Sequence, residues 1–480
     1  MATWNPATRA RNLVTRLRRL SDGVVAIRSD LDGLRSEIDA LHAEEHETRE
    51  LLAQMGAEIR AEVRAELVAE SSLVRAAADR AARRGTLQRG TVRVVFLVHN
   101  KDAWDSIGEV IQIMRASSDF EPVVVTIPHH YGGGDESRGE GRIHRFLAER
   151  GVPHLRLRND EQTWARELLL ALDPDVVFRQ SQWDSDVDSA FSAENLAWAR
   201  LALIPYETMN PTKNVPWDHP PVNSALDQHW HRAAWLVFVA NEDVVEIART
   251  DTLTGGSQYR AVGHPKADAL RKMAPFWPSP EVPAKRRRVL WSAHHSILDG
   301  WNDFGMFPQV KDDMLRWASE DLGTEFVFTH HPYLRGTLRR PESPLKSADF
   351  KDWLAMWRAL PNTVYWRGEY APVLAATDLL VTDGPSMITE SQVLTVPTLF
   401  LERDEHVEFN RVGERIVSGV HRVPDVAAAR AIAELISEKG DPLASTQREN
   451  IRRLFGEPGA AQRIVDTILA EAQMETSGLR

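Results

Sequence analysis

Ala375–Glu402, AATDLLVTDGPSMITESQVLTVPTLFLE, is the stretch whose reading decides the fold. Leu379–Thr382 is a short apolar run of the kind a fully buried parallel strand requires. Asp383-Gly-Pro-Ser386 breaks the run, and Ser386–Leu394 continues as a helix until Pro397 forbids it. Thr398–Leu401 is apolar again, so the unit is strand, polar turn, helix, strand. In open α/β sheets, ligands sit at the C-terminal end of such a strand. The helix start there offers unpaired N–H groups and the positive end of a dipole to an anion. Pro385 has no N–H to waste at the first helical position, and Ser386 adds a hydroxyl donor. The plain alternative is an ordinary turn in which Asp383 caps the helix.

The same alternation extends in both directions. Upstream, Val289–Ser292, Glu325–Thr329 and Thr363–Trp366 are strands, separated by helices around Asp312–Ser319 and Phe350–Arg358. Beyond a Pro- and Lys/Arg-rich link, Ala274–Arg288, lies a second array. Its strands are Thr91–Val98, Pro122–Ile127, His154–Leu157, Val176–Phe178, Leu201–Ile204 and Leu236–Val239. Its helices are Trp104–Arg115, Ile143–Arg150, Thr163–Leu172 and Glu242–Ala248. Strands alternating with helices predict doubly wound parallel sheets. Two in succession predict the α/β GT-B arrangement: two Rossmann-like domains facing a cleft, residues 90–262 on the acceptor side and 263–440 on the donor side. Residues 441–480 supply helices that pack on this body, with Ala460–Ala472 a candidate to cross back to the first domain and Thr476–Arg480 fraying. Gly132-Gly-Gly134 lacks the GxGxxG spacing and is expected to be a flexible loop.

Residues 1–89 differ in kind. Leu13, Leu17, Leu20, Val24, Ile27, Leu31, Leu34, Ile38 and Leu41 alternate spacings of four and three. That is an a/d seam, which predicts a coiled coil and self-association. Glu45 and Thr48 interrupt it before Leu52, Met55 and Ile59 resume. The rival is a membrane-surface helix, because Arg9, Arg11, Arg16, Arg18 and Arg19 cluster at its start.

Composition excludes several classes. With no cysteine among 480 residues, there are no disulfides, thiolate nucleophiles or thiolate metal sites, which fits a reducing cytosol. A net charge of −11 gives no basic field for nucleic acid. No apolar run approaches a membrane span or signal-peptide core, so the expected location is cytoplasmic, with peripheral contact at the membrane's inner face. The 15 tryptophans are expected mainly in the core.

The loops that follow the strands Val289–Ser292, Glu325–Thr329, Thr363–Trp366 and Leu379–Thr382 carry His294 and His295, His330 and His331, Arg367, and Asp383 with Ser386. Imidazoles, a guanidinium, a carboxylate and a hydroxyl thus converge on one sheet edge. A zinc site is one alternative, but adjacent histidines point apart and none has the spacing of H-E-x-x-H. A serine hydrolase would need a G-x-S-x-G elbow, which is absent. Phosphate handling suits the set best, with no metal and no cofactor.

At these residues the chain resembles the CDP-glycerol glycerophosphotransferases, relatives of the teichoic-acid polymerases. Val262-Gly-His-Pro-Lys-Ala-Asp268, Leu290-Trp-Ser-Ala-His-His-Ser-Ile297, Phe328-Thr-His-His-Pro332 and Thr377-Asp-Leu-Leu-Val-Thr-Asp-Gly-Pro-Ser386 carry the resemblance. Gln180-Ser-Gln-Trp-Asp184 and Leu203-Ile-Pro-Tyr206 add to it, and the coiled coil lies outside it. The resemblance implies a GT-B fold and a nucleotide-diphospho donor held by the second domain. His331 would contact the donor phosphates and assist the leaving group. Ser386, Asp383, His295, His294, His330 and Arg367 would complete the phosphate site, and Tyr206, Gln180 and Asp184 would line the acceptor side. The family's first-domain His-Gly-Thr element reads Pro205-Tyr-Glu-Thr208 here, which leaves Glu207 as the base by position or as a plain helix-start residue. The implied reaction is a single displacement by a hydroxyl of a cell-surface polymer or lipid-linked saccharide. A GT-B glycosyltransferase with a nucleotide-sugar donor, a sugar-nucleotide epimerase, and a non-catalytic scaffold carrying a degenerate transferase body are the competing expectations.

Overall fold

Apolar runs bounded by polar turns form the strands, and each sheet is wholly parallel. The computed structural model describes residues 6–86, 90–130, 139–158, 164–213, 223, 225–279, 286–300 and 302–477. The first sheet contains β1 (Val92–Val98), β2 (Phe120–Thr126), β3 (Leu155–Arg156), β4 (Val176–Arg179), β5 (Arg200–Leu203), β6 (Leu236–Val239) and β7 (Tyr259–Ala261). The second contains β8 (Arg287–Ala293), β9 (Thr324–His330), β10 (Thr363–Tyr365), β11 (Leu379–Thr382), β12 (Thr398–Leu401) and β13 (His421–Val423). Their orders are β3-β2-β1-β4-β5-β6-β7 and β10-β9-β8-β11-β12-β13. Each order reverses once, between β1 and β4 and between β8 and β11. Such switch points open a crevice beyond the strand ends.

The expected GT-B architecture is therefore present, with local corrections. β7 and β13 escape the pattern because three-residue edge strands are too short to show a period. The helix expected over Trp104–Arg115 is broken into a 3-10 turn, Lys101–Ser106, and a helix, Gly108–Ala116. A Cβ at Gly108 would lie 2.6 Å from the Trp104 indole nitrogen, so only glycine lets the two segments pack. The helices Pro265–Arg271 and Arg411–Val417 were not expected, whereas Ala444–Phe455 falls in the stretch expected to supply helices.

Tryptophan fills the second core. Trp291, Trp317, Trp353 and Trp357 are fully buried, and Trp291 lies 4.5 Å from Phe328 between ring centroids. The chain's end serves both domains. Ala444–Phe455 packs on Pro385–Val393, with Asn450 Nδ2 donating to Gln392 Oε1 at 3.1 Å. Ala460–Ser477 instead inserts Ala461, Ile464, Val465 and Ile468 into the first core, so the tail does cross back.

A backbone seam joins the two domains near the cleft. Lys213 N–H donates to Glu408 O at 2.9 Å, Asn410 N–H to Pro211 O at 2.8 Å, and Asn410 Nδ2 to Thr212 O at 2.8 Å. Gly413 sits against this seam; a Cβ there would fall 2.0 Å from Pro211 O.

Residues Pro6–Thr86 form one helix of 81 residues. The a/d leucines and isoleucines of its seam are exposed within the single chain, Leu31 at 60% and Ile38 at 51%. The sequence places a joint between helix and body at Gly85–Gly90, but the helix runs on through Thr86. Residues 87–89 of that joint, the glycine run at 132–134, Thr163, link residues 280–285 and terminal residues 478–480 lie outside the described residues. Among the described residues, no helix is long and apolar enough to cross a membrane.

Candidate active site between the two sheet edges

Asp383 is the keystone of the second edge, though not as a helix cap. The helix Pro385–Val393 is capped by Gly384 without a side-chain bond. The buried Asp383 carboxylate instead accepts from His294 N–H and Met306 N–H, both at 2.6 Å. It thereby ties the loop after β8 to the turn after β11. Burial pushes its carboxyl up to about 6, opposed by these two backbone donors. The β8–β11 register, with Ser292 beside Thr382, is what brings the two loops together. Ser386 stands exposed at the helix start, and among the described residues its hydroxyl has no protein partner, as an anion contact requires.

The histidines separate by what their nitrogens already do. His330 is occupied: Nδ1 lies 2.8 Å from His331 O and Nε2 lies 2.8 Å from the Tyr365 hydroxyl. His331 Nδ1 accepts from Tyr333 N–H at 3.2 Å, which leaves Nε2 to carry the proton and donate. Its ring stacks on His295, with centroids 4.1 Å apart, and His294 lies 5.6 Å away. Burial, then the neighbouring His330, lowers His331 to about 4. Burial and the facing imidazoles also hold His294 and His295 well below the usual histidine range. At neutral pH the cluster is uncharged and offers N–H donors without repelling one another. Exposed Arg367, together with Arg335 and Arg340, supplies positive charge at its rim.

Across the cleft, several expected acceptor-side groups prove to be internal braces. Gln180 is fully buried; its Oε1 accepts from His99 N–H and Asn100 N–H, and its Nε2 donates to Asn100 O at 2.7 Å. Asp184 pairs with the fully buried Arg179 and with His229 Nε2 at 2.7 Å. Both shape the loops after β1 and β4, and each of their side-chain oxygens already accepts a hydrogen bond within the domain. Tyr206 and Glu207 do stand at the end of β5, where the sequence places them. Glu207 Oε1 accepts from Gln182 Nε2 at 2.5 Å, and its Oε2 is buried without a partner. Burial raises its carboxyl above the usual range, and it also raises the Tyr206 phenol.

The sequence did not single out Asp102, Asp186, Tyr333, or the stacked His99–His129 pair, whose Nδ1 atoms meet. These groups bring the edges face to face. The charge of Asp102 bears on His331, and that of Asp186 on Tyr333. Position beyond the strand ends was the available signal for them; nothing in their local sequence marks them. Among the described residues no cluster of histidine and acidic side chains has metal-binding geometry.

Comparison with solved structures places this geometry in a known fold. The S. aureus MnaA–UDP co-structure superposes with a TM-score of 0.55 at 11% identity, covering 80% of this chain and 97% of that one. UDP-GlcNAc 2-epimerase from Neisseria meningitidis bound to UDP-GlcNAc gives 0.53 at 14% identity, covering 79% and 100%. The wall teichoic acid polymerase TagF gives 0.50 at 11% identity, covering 85% and 97%. At such identities the likeness shows the fold alone, GT-B. No family model matches the sequence, and no curated protein matches it either.

Proposed function

We propose that this protein is a transferase that takes glycerol phosphate from CDP-glycerol and attaches it to a hydroxyl of a surface polymer or lipid-linked saccharide. The observation that carries it is the second edge: a free Ser386 hydroxyl at a helix start, facing neutral imidazole donors with an arginine rim. That edge suits a nucleotide diphosphate in both charge and hydrogen bonding. His331 Nε2–H donates to the donor phosphates and stabilises charge on the leaving nucleotide; Asp383 holds His294 and the turn in place. A first-domain carboxylate receives the acceptor's proton. Catalysis then rests on positioning and on preorganised donors. TagF, a polymerase of wall teichoic acid with the same fold, is consistent with this reading.

A second reading, a nucleotide-sugar donor, is favoured by the UDP and UDP-GlcNAc held in solved structures of this fold. Purified protein titrated with CDP-glycerol and, in parallel, with UDP- and GDP-sugars separates the two by which nucleotide is released. CDP-glycerol turnover that His331→Ala abolishes supports glycerophosphate transfer. Sugar-nucleotide turnover replaces the donor, acceptor-free isomerisation of a nucleotide sugar indicates an epimerase, and no binding at all leaves a scaffold.

The N-terminal helix associates with a second copy of itself. Its exposed seam follows the a/d rule over four heptads, which another helix of the same sequence covers in register. Light scattering on the full chain should give a dimer or higher mass, and Leu31→Glu with Leu34→Glu should give the monomer. A monomeric parent chain overturns this assignment.

A further inference from the structure

Two carboxylates approach the first-domain edge, and their surroundings differ in a way that bears on which one meets the substrate. Glu207 is closed off: Gln182 occupies one oxygen, and the other is sealed from solvent. Asp186 is open. It lies on the 3-10 turn Asp184–Asp186 beyond β4, partly exposed, with Oδ2 accepting from the Ser181 hydroxyl at 2.7 Å. Among the described residues, its Oδ1 receives no hydrogen-bond donor. His130 N–H donates to Asp186 O at 2.8 Å, fixing the turn against the loop after β2. The braces Arg179–Asp184 and Ser181–Trp183 N–H hold the turn from beneath.

We propose that Asp186, not Glu207, is the general base that takes the proton of the acceptor hydroxyl in the cleft. This rests on the transferase reading above and assigns its proton acceptor. The hydroxyl proton passes to Asp186 Oδ1 as the acceptor oxygen bonds to the phosphorus bearing glycerol. The bond from that phosphorus to the bridging oxygen breaks, the electron pair leaves with the nucleotide, and Asp186 later returns its proton to water. With a nucleotide sugar, the anomeric carbon takes the place of phosphorus. The charge of Asp186 is felt at Tyr333 of the second domain, one residue beyond the His331-Pro332 pair, which sets the base within electrostatic range of the loop assigned to the donor phosphates.

The surroundings also poise this carboxyl. Burial, followed by the charge of Glu207, raises it to about 6, while Ser181, Arg179 and His130 pull it back. Tyr206 also faces it from the β5 turn, and Tyr333 from the second domain. A base near the working pH is the efficient one.

The test uses the full chain and whichever of CDP-glycerol, UDP-sugars or GDP-sugars it cleaves, with water and free glycerol as hydroxyl nucleophiles. The parent kcat/KM should rise with pH through about 6. Asp186→Asn should lower kcat about 10²–10⁴-fold and remove that inflection, while calorimetric binding of the product nucleotide stays unchanged. Ser181→Ala should move the inflection upward, because the lost hydroxyl favoured the charged form; a purely structural role for the turn would not do so. Glu207→Gln should keep the inflection. An Asp186→Asn enzyme that retains the parent's rate and profile overturns the assignment, as does an inflection lost with Glu207→Gln. If the parent binds nucleotide yet cleaves no donor, the transferase reading itself falls, and this assignment falls with it.

Discussion

The two facing sheet edges are built from the same topology and carry opposite chemistry. On the second, the one central carboxylate, Asp383, is consumed by two backbone donors, and what remains open is a hydroxyl, an imidazole N–H and an arginine rim. On the first, the buried cation Arg179 is consumed by Asp184 and Asp102 pairs with Lys101 at 2.6 Å, so what remains open is one oxygen of Asp186. In each domain the ion of the unwanted sign is spent on bracing loops. On the proposed reading, an anionic donor is thereby favoured at the second edge and disfavoured at the first, where a proton acceptor is needed. The division of labour lies in which groups are already satisfied, more than in which residue types are present.

Substitutions test that contrast, and the largest effect is expected at His331. His331→Ala should cost about 10²–10³-fold in kcat, the usual loss for one preorganised donor. Normal turnover with this variant would break the assignment of the donor side. Asp383→Ala should act on folding as well as rate. It strands two buried N–H groups, costing about 2–5 kcal/mol in a denaturant titration. If stability held, the clamp between β8 and β11 would not matter.

Ser386→Ala sharpens the comparison from the other direction. It should weaken nucleotide-diphosphate affinity about tenfold or somewhat more, the value of one hydrogen bond to a charged group, and leave the melting temperature alone. Gln180→Ala should do the reverse, with a loss of about 1–3 kcal/mol of stability and little change in nucleotide affinity, since its bonds are internal.

The smallest effect is a pH dependence of stability. His129, His231, His264 and His331 have folded values lowered to between about 3 and 4, against about 6.5 unfolded. Below pH 6.5 the unfolded chain binds protons that the folded chain refuses, so these groups lose stability as pH falls towards 4. Asp186 and Asp383, raised to about 6, oppose this by gaining stability on acidification from pH 6. The histidines outnumber them, and calorimetry should show a lower melting temperature at pH 5 than at pH 7. A flat or rising trend would mean the imidazoles are not buried neutral.

Much of the donor side was legible in the sequence because its residues follow immediately on strong apolar strands. His294 and Asp383 come directly after a strand's last residue and His330 is one, so finding the strand found the group. The acceptor side was less legible. Asp186 sits seven residues beyond β4 on a turn with no motif, and its distinction from Asp184 and Glu207 lies only in what each already binds. Gln180 and Asp184 looked like ligand contacts for the same reason: a polar residue at a strand end has no sequence mark that says whether a neighbour has claimed it.

By itself the sequence determined the alternation of buried strands and helices, the two-domain parallel architecture, the heptad seam and the tryptophan-rich core. These depend on local period and hydrophobicity, which are properties of consecutive residues. Only the tertiary structure decided the strand order, which residues of Ala460–Ser477 enter the first core, and the pairing of Asp383 with two distant N–H groups. It also decided which carboxylate is closed and which is open. Those outcomes depend on desolvation and hydrogen-bond satisfaction among residues up to hundreds of positions apart, and neither is encoded in any short stretch of chain.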